Sequence, residues 1–438
     1  MSGVFISPQS NSKIMRANHL LLFVVTAMLG FASQGCLKDK CERTVSYINI
    51  EPVFKTLEEI RSGEVVAEAP RELKNPGKIY YYNNQIYINE RHEGVHVIDN
   101  SNPASPVNTM FIRIPGNEDI AIKDGLLYAN SYIDLLTIGL TDNKVISRAE
   151  DVFPPLWTDQ NNRFAVYYKE TPVTEVMDCD TYGTLYKHNG TFFRAESFDL
   201  AVNAAAGSSA GGGTGIGGSM ARFTIVGNYL YVVDESRLNV FDLGQPTQPT
   251  RANTVNIGWG IETIFPYEDK LFIGSNSGMF IFDNSNPTAP TQLAAFAHAR
   301  ACDPVVVKDN FAYVTLRSGN ACDGFINQLD LVDITNITNP VLVRTFPMDN
   351  PHGLSIKNNS LFLCEGSFGL KSFDITNPAN LDANLLEHKK GLHTFDAIAL
   401  PGSANLLLVV GDDGFYQYNF DNPTNLKLLS KIPVSRNP

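Results

Sequence analysis

The phrase Phe282-Asp-Asn-Ser-Asn-Pro-Thr-Ala-Pro290 recurs along this chain, and that recurrence constrains the fold more than any single residue does. Variants stand at Ile98–Pro106, Phe241–Pro249, Val332–Pro340, Phe373–Leu381 and Tyr418–Leu426. From one aspartate to the next the steps are 41 residues (Asp242 to Asp283), 50 (Asp283 to Asp333) and 41 (Asp333 to Asp374). The grammar between the phrases repeats as well. A short apolar strand and a tight polar turn lead to a second strand with an apolar-Tyr/Phe-apolar core, such as Leu230-Tyr231-Val232 or Leu271-Phe272-Ile273. A third strand runs into the phrase and a fourth leaves it. An Asp or Asn side chain accepts a backbone N–H two residues on, and Pro fixes φ and stops the ladder, so the phrase ends one strand and reverses the chain.

Seven such units can be traced: Gly77–Pro115, Asp119–Glu150, Ala221–Ile257, Ile261–Ala297, Asp303–Phe346, His352–Leu386 and Phe395–Pro433. Four antiparallel strands per unit predict an all-β chain, a seven-bladed β-propeller of four-stranded blades, with six blades as second choice. The abundance of Tyr (17) and Phe (26), against only 18% charged residues, suits many short buried strands. The organisation reads as a signal segment (1–35), a lead-in (36–76) and the repeat array (77–434), interrupted by an insertion (151–220). The lead-in holds one strand (Tyr47–Phe54) and a short helix (Leu57–Arg61). The insertion carries Trp157 and Cys179 and closes on an Ala/Gly/Ser tract, Ala204–Gly218, which reads as a flexible surface loop.

At the N-terminus, Lys13 and Arg16 precede an apolar run, Leu20–Phe31, and then Ala32-Ser33-Gln34-Gly35-Cys36. The run is too short to span a bilayer, which takes about 20 residues. It reads as a secretory signal and resembles that of bacterial lipoproteins, with Cys36 as the lipidated residue. That places the protein in the cell envelope, lipid-anchored at the outer membrane or cell surface of a Gram-negative bacterium. A formal charge of -12 without any basic stripe argues against nucleic acid as a partner.

The repeat residues resemble the LVIVD-repeat family of bacterial and archaeal surface proteins. The family's phrase stands nearly intact as Val95-His-Val-Ile-Asp-Asn-Ser-Asn-Pro-Ala-Ser-Pro106. The resemblance implies a propeller-like surface protein and supplies no catalytic residues.

Two motifs imitate known chemistry. His92-Glu93-Gly94-Val95-His96 fits the H-E-x-x-H zinc pattern, which needs a helix to bring both histidines to one face. Here it falls on a turn and a strand, so the histidines should diverge and no metal is expected. Gly213-Thr-Gly-Ile-Gly-Gly218 fits G-x-G-x-x-G but follows a small-residue tract and precedes a strand, so it reads as an accident of glycine content and no cofactor is expected.

The candidate site comes from aligning the units at the start of their innermost strand. The aligned positions are Lys78, Asp119, Arg222, Glu262, Asp303, His352 and Asp396. In a propeller these starts converge on one mouth of the central channel, where polar groups would face water and either hydrate the mouth or bind a cation or polyol. The loops between blades share that face. They include Trp259, which either stacks on a ligand or packs against a blade, and Cys302, placed to pair with Cys322. The leading expectation is a binding module for a glycan or envelope protein, acting through the insertion-bearing face. The alternative is a hydrolase or lyase using Asp119, Asp303, Asp396 and His352.

Overall fold

The computed structural model describes residues 42–178, 192–195, 214–297, 304–317, 327–402 and 405–435. The signal segment, Cys36, Cys41, Cys179, Cys302, Cys322 and Asp303 lie outside the described residues. The chain divides into two compact units. In the smaller, residues 1–51 and 170–196, Tyr47–Ile50 pair antiparallel with Phe192–Ala195.

The larger unit, residues 52–169 and 197–438, is an all-β propeller. Seven of its sheets, among the described residues, share the same up-and-down meander. In chain order their innermost strands are Pro76–Tyr82, Ile120–Lys123, Phe223–Val226, Ile261–Tyr267, Val305–Lys308, Leu354–Lys357 and Asp396–Ala399. Each innermost strand neighbours the next one, and Leu406–Gly411 of the last sheet lies against Pro76–Tyr82 of the first. The ring is also tied where Leu73 bridges Val434 and the Ser435 N–H donates to the Leu73 carbonyl at 2.7 Å.

The hairpins between first and second strands use left-handed residues, as tight two-residue turns require: Asn83 and Asn84 (φ 48° and 59°) in the first sheet, Asp124 and Gly125 in the second. The repeated phrase forms the expected Asx turns. Asp99, Asp283, Asp333 and Asp374 each accept the backbone N–H two residues on, at 2.7–3.1 Å. The phrase has a second role that local reading does not reach. Its proline carbonyl accepts a bond from the preceding sheet: Tyr128 hydroxyl to Pro246 (2.9 Å), Tyr231 hydroxyl to Pro287 (3.1 Å), and Ser372 hydroxyl to Pro423 (2.8 Å). Ser430 of the last sheet reaches Pro103 of the first at 2.7 Å. The turn is thus a clasp between sheets as well as an end to a strand, and buried tyrosine hydroxyls find their partner there.

Apolar packing lies between sheet faces. One cluster joins the first three sheets through Tyr128, Leu136 and Phe241, and another joins the fourth to sixth through Phe272, Leu331 and Phe346. Burying side chains of this size contributes about 1.5–3 kcal/mol each, which is why single sheets with two apolar faces stack into a ring.

The lead-in is partly built into this unit. Thr56 and Glu59 form a capping box for the helix Leu57–Arg61, as the pairing of those residues requires. Val66–Glu68 adds a strand to the outer edge of the first sheet. The inner edge of that sheet also gains a strand, Ile216–Gly217, from the end of the insertion. The expectation of a surface loop fails for residues 214–218, while 204–213 lie outside the described residues. Gly215 to Ala221 are buried, and Ile216 and Gly217 pair with Tyr81 and Tyr80.

Candidate functional site: channel and rim

The segment 214–222 runs up the central channel from the ends of the innermost strands to their starts. Thr214 bridges Lys123, the Gly215 N–H donates to the Ile122 carbonyl (2.9 Å), and the Tyr80 hydroxyl donates to the Gly215 carbonyl (3.1 Å). A side chain at Gly215 would be driven into the Tyr80 ring, and one at Gly218 into the Asp396 carboxylate. Gly215 and Gly218 of the G-x-G-x-x-G match therefore have a steric reason; they are not incidental, while Gly213 lies outside the described residues. The backbone passes between two walls that leave no room for Cβ atoms.

This segment engages Asp119 and Asp396; of the aligned positions, Lys78, Asp119, Glu262, His352 and Asp396 are buried rather than open to water, and Arg222 is half-buried. Asp119 Oδ2 accepts from Lys78 Nζ at 2.9 Å and from the Arg222 backbone N–H, while its Oδ1 accepts from Ile120 N–H at 2.7 Å. Three sheets meet at that carboxylate. Burial lowers the Lys78 pKa, and the Asp119 charge opposes the shift. The Arg222 guanidinium turns toward Glu118, 3.9 Å away.

Asp396 is buried beside the far end of the segment. Ser219 donates its N–H and its hydroxyl to Asp396 Oδ1, each at 3.0 Å, and the Leu354 N–H donates to the Ser219 hydroxyl oxygen at 2.6 Å. Oδ2 has no hydrogen-bond partner among the described residues. Burial pushes the carboxyl pKa up to about 7, against the Ser219 and Ala397 bonds and the Lys78 charge, which favour ionisation.

His352 is also buried. Its ring nitrogens lie 2.9 Å from Arg317 Nη1, its N–H donates to the Cys364 carbonyl, and its carbonyl accepts from the Thr315 hydroxyl. Burial first, then the Arg317 charge, press its pKa well below the usual value, so the ring is neutral. Glu262 is buried at the start of the fourth sheet. The structure thus joins Lys78, Asp119 and Arg222 in one cluster and ties Asp396 to Ser219.

The H-E-x-x-H residues separate, as a turn followed by a strand demands. His92 (φ 62°) stacks on Tyr167 at 3.9 Å, Glu93 pairs with Arg71, and His96 Nε2 lies 2.9 Å from Glu90 Oε2. Cys364 is a buried free thiol in the sixth sheet.

Trp259 stands on the same face, in the loop between the third and fourth sheets, and is 79% exposed. Its loop is fixed: Ile257 and Gly258 N–H donate to the Ser236 carbonyl, Ile261 N–H to Glu235, and Asn276 N–H to Gly260. At Gly260 (φ 75°) an added Cβ would strike the Asn276 side-chain amide, so glycine suits this position on both counts. A large aromatic ring is held out by a rigid frame. Phe368, in the turn between second and third strands of the sixth sheet, is likewise exposed on this face. Sequence alignment of the strand starts missed it because it sits in a turn of its own.

The insertion's first half packs on turns of the first and second sheets. Tyr167 lies between His92 and Tyr132 (6.5 Å), and Trp157 packs edge-on to Phe54 at 4.8 Å. The insertion thus leaves from the Trp259 face, at Asp151, and returns at Thr214 from the other.

A ring of meander sheets around a central channel defines a β-propeller. LVIVD repeats are found at residues 78–110, 217–257 and 299–347. In fold the chain is similar to BamB from Moraxella catarrhalis (8% identity, 88% of this chain and 92% of that one, TM-score 0.46). It is similar also to Hsv2 from Kluyveromyces lactis (11% identity, 83% and 100%, TM-score 0.45) and to AztD from Citrobacter koseri (11%, 70% and 68%, TM-score 0.40). No protein of curated function matches the chain in sequence. A repeat-built propeller suggests an interaction or binding module.

Proposed function

We propose that the protein is a lipid-anchored, extracytoplasmic binding module that holds a glycan or an envelope protein on its insertion-bearing face. Trp259 carries the reading: an indole 79% exposed on a loop bonded at both ends offers a flat apolar surface with little ordering cost. A sugar face or a peptide side chain stacks on such a ring. The rim positions Arg222 and Glu118 lie on the same face and can supply polar contacts. Cys36 would carry the lipid, tethering the propeller to the membrane through the lead-in.

The alternative, a hydrolase or lyase at the channel mouth, has less support. Asp119 is occupied by Lys78 and Arg222, Asp396 by Ser219, and His352 is buried against Arg317. A general acid–base pair needs one member within reach of substrate.

Co-sedimentation of the purified protein with its own envelope polysaccharide, comparing wild type with Trp259→Ala, tests the reading. Retention of wild type and loss of the variant is expected; equal retention contradicts it, and retention only after adding back envelope proteins assigns the ligand to a protein. Cys36→Ala should abolish incorporation of radiolabelled palmitate.

A further inference from the structure

The channel is filled on one side only. Against the fourth to seventh sheets a cavity of about 450 Å³ remains, with Ile216 and Ser219 as its inner wall. That volume is in the range of small-ligand sites. Its outer end is marked by Glu268, Lys308, Lys357 and Asn358, at the turns after the innermost strands, so it opens on the face opposite Trp259.

The walls are strand edges. Residues 265–268, 306–308 and 354–358 line the cavity in consecutive runs. Neighbouring strand residues point to opposite faces, so a run can line a cavity only where the strand presents its edge. Each of these strands is the terminal member of its sheet, with no strand paired on its inner side among the described residues; the Ile264 N–H of the fourth sheet donates to the Ala221 carbonyl. Where the chain's own segment reaches them, edge groups are bonded: Leu354 N–H meets the Ser219 hydroxyl. Pro266 contributes a carbonyl and no N–H.

The first sheet shows what suits such an edge. Ile216–Gly217 adds to it as an antiparallel strand, entering from the same face on which the cavity opens. The charges at the outer end are largely matched within the protein. Lys308 pairs with Asp309 at 2.5 Å, and Lys357 lies over the Phe420 ring at 5.4 Å with the Asp421 charge near it. The site therefore favours an occupant without strong charge.

We propose that this cavity binds one end of an extended, uncharged peptide with small and apolar side chains, which adds to the free inner edges of the fourth to sixth sheets. Backbone hydrogen bonds supply the affinity, and the apolar wall of Phe265, Val306, Leu354 and Ile398 selects small apolar side chains. The site is independent of the Trp259 rim.

The test uses a fluorescein-labelled synthetic peptide with the 213–219 sequence, followed by fluorescence anisotropy on the full protein. Saturable binding is expected, weakened about tenfold or more when the peptide's Ile and following Gly amides are N-methylated. Glu268→Trp, at the exposed outer end of the cavity, should weaken binding as much while the variant keeps its melting temperature. The methylated peptide is compared on wild-type protein, so a misfolded variant does not obscure the result. Absence of saturable binding overturns the proposal. So does equal binding of the methylated peptide, which would mean a pocket that reads no backbone, or equal binding by a folded Glu268→Trp variant.

Discussion

Ser219 gives both its N–H and its hydroxyl to one oxygen of Asp396, each at 3.0 Å, and so fastens the end of the insertion to the innermost strand of the last sheet. The two residues are 177 positions apart in the chain. Their contact turns the end of an insertion into part of the central wall, and it places a buried carboxyl where an open site had been expected.

That carboxyl makes stability depend on pH. Its pKa rises on folding from 3.8 to about 7, so the folded state holds its proton more tightly than the unfolded chain. The associated stability is fully present below about pH 4 and is lost as pH rises through 7. The full difference is on the order of 4 kcal/mol. Melting of wild type and Asp396→Asn across pH 5 to 8 should show wild type losing ground steadily to the variant. Parallel curves would contradict this account of Asp396.

The channel glycines should resist enlargement. Gly218→Ala sets a methyl group against the Asp396 carboxylate, and Gly215→Ala sets one against the Tyr80 ring. Overpacking of this kind costs about 1–3 kcal/mol. Chemical denaturation should show that loss for both, whereas Gly125→Ala, whose added Cβ would meet open space, pays only for its positive φ of 77°.

The clasp between sheets has a measurable weight. Tyr231→Phe keeps the buried ring and removes the bond to the Pro287 carbonyl, leaving that acceptor to find water. A loss of about 0.5–1.5 kcal/mol is expected by denaturation. No loss would mean that the phrase only ends strands.

The repeat made the propeller legible because each meander is a local pattern: alternating apolar residues, a two-residue turn, an Asx–Pro stop. Helix Leu57–Arg61 was legible for the same reason, since Thr56 and Glu59 sit three residues apart. The channel strand was not. Thr214–Gly218 reads locally as loop, and its constraint comes from Tyr80 and Asp396, both more than 130 residues away in sequence. Of the aligned strand starts, Asp119 and Asp396 bond to that same segment, a contact that no local pattern announces. Val66–Glu68 was missed because a three-residue edge strand carries no period of its own.

Trp259 should matter to binding and not to folding. Trp259→Ala removes an exposed ring from a loop held by its backbone, so stability should change by no more than about 0.5 kcal/mol. Binding to envelope polysaccharide should fall by tenfold or more, a change of about 1.4 kcal/mol. A destabilised variant would instead assign the ring a structural role.

The account rests on the insertion's end being an integral strand of the channel. Native-state hydrogen exchange of the full protein measures this directly, amide by amide. The prediction is that Gly215 and Gly218, which donate to Ile122 and Ile79, exchange as slowly as the amides of Pro76–Tyr82. Exchange at the rate of an open loop would contradict it.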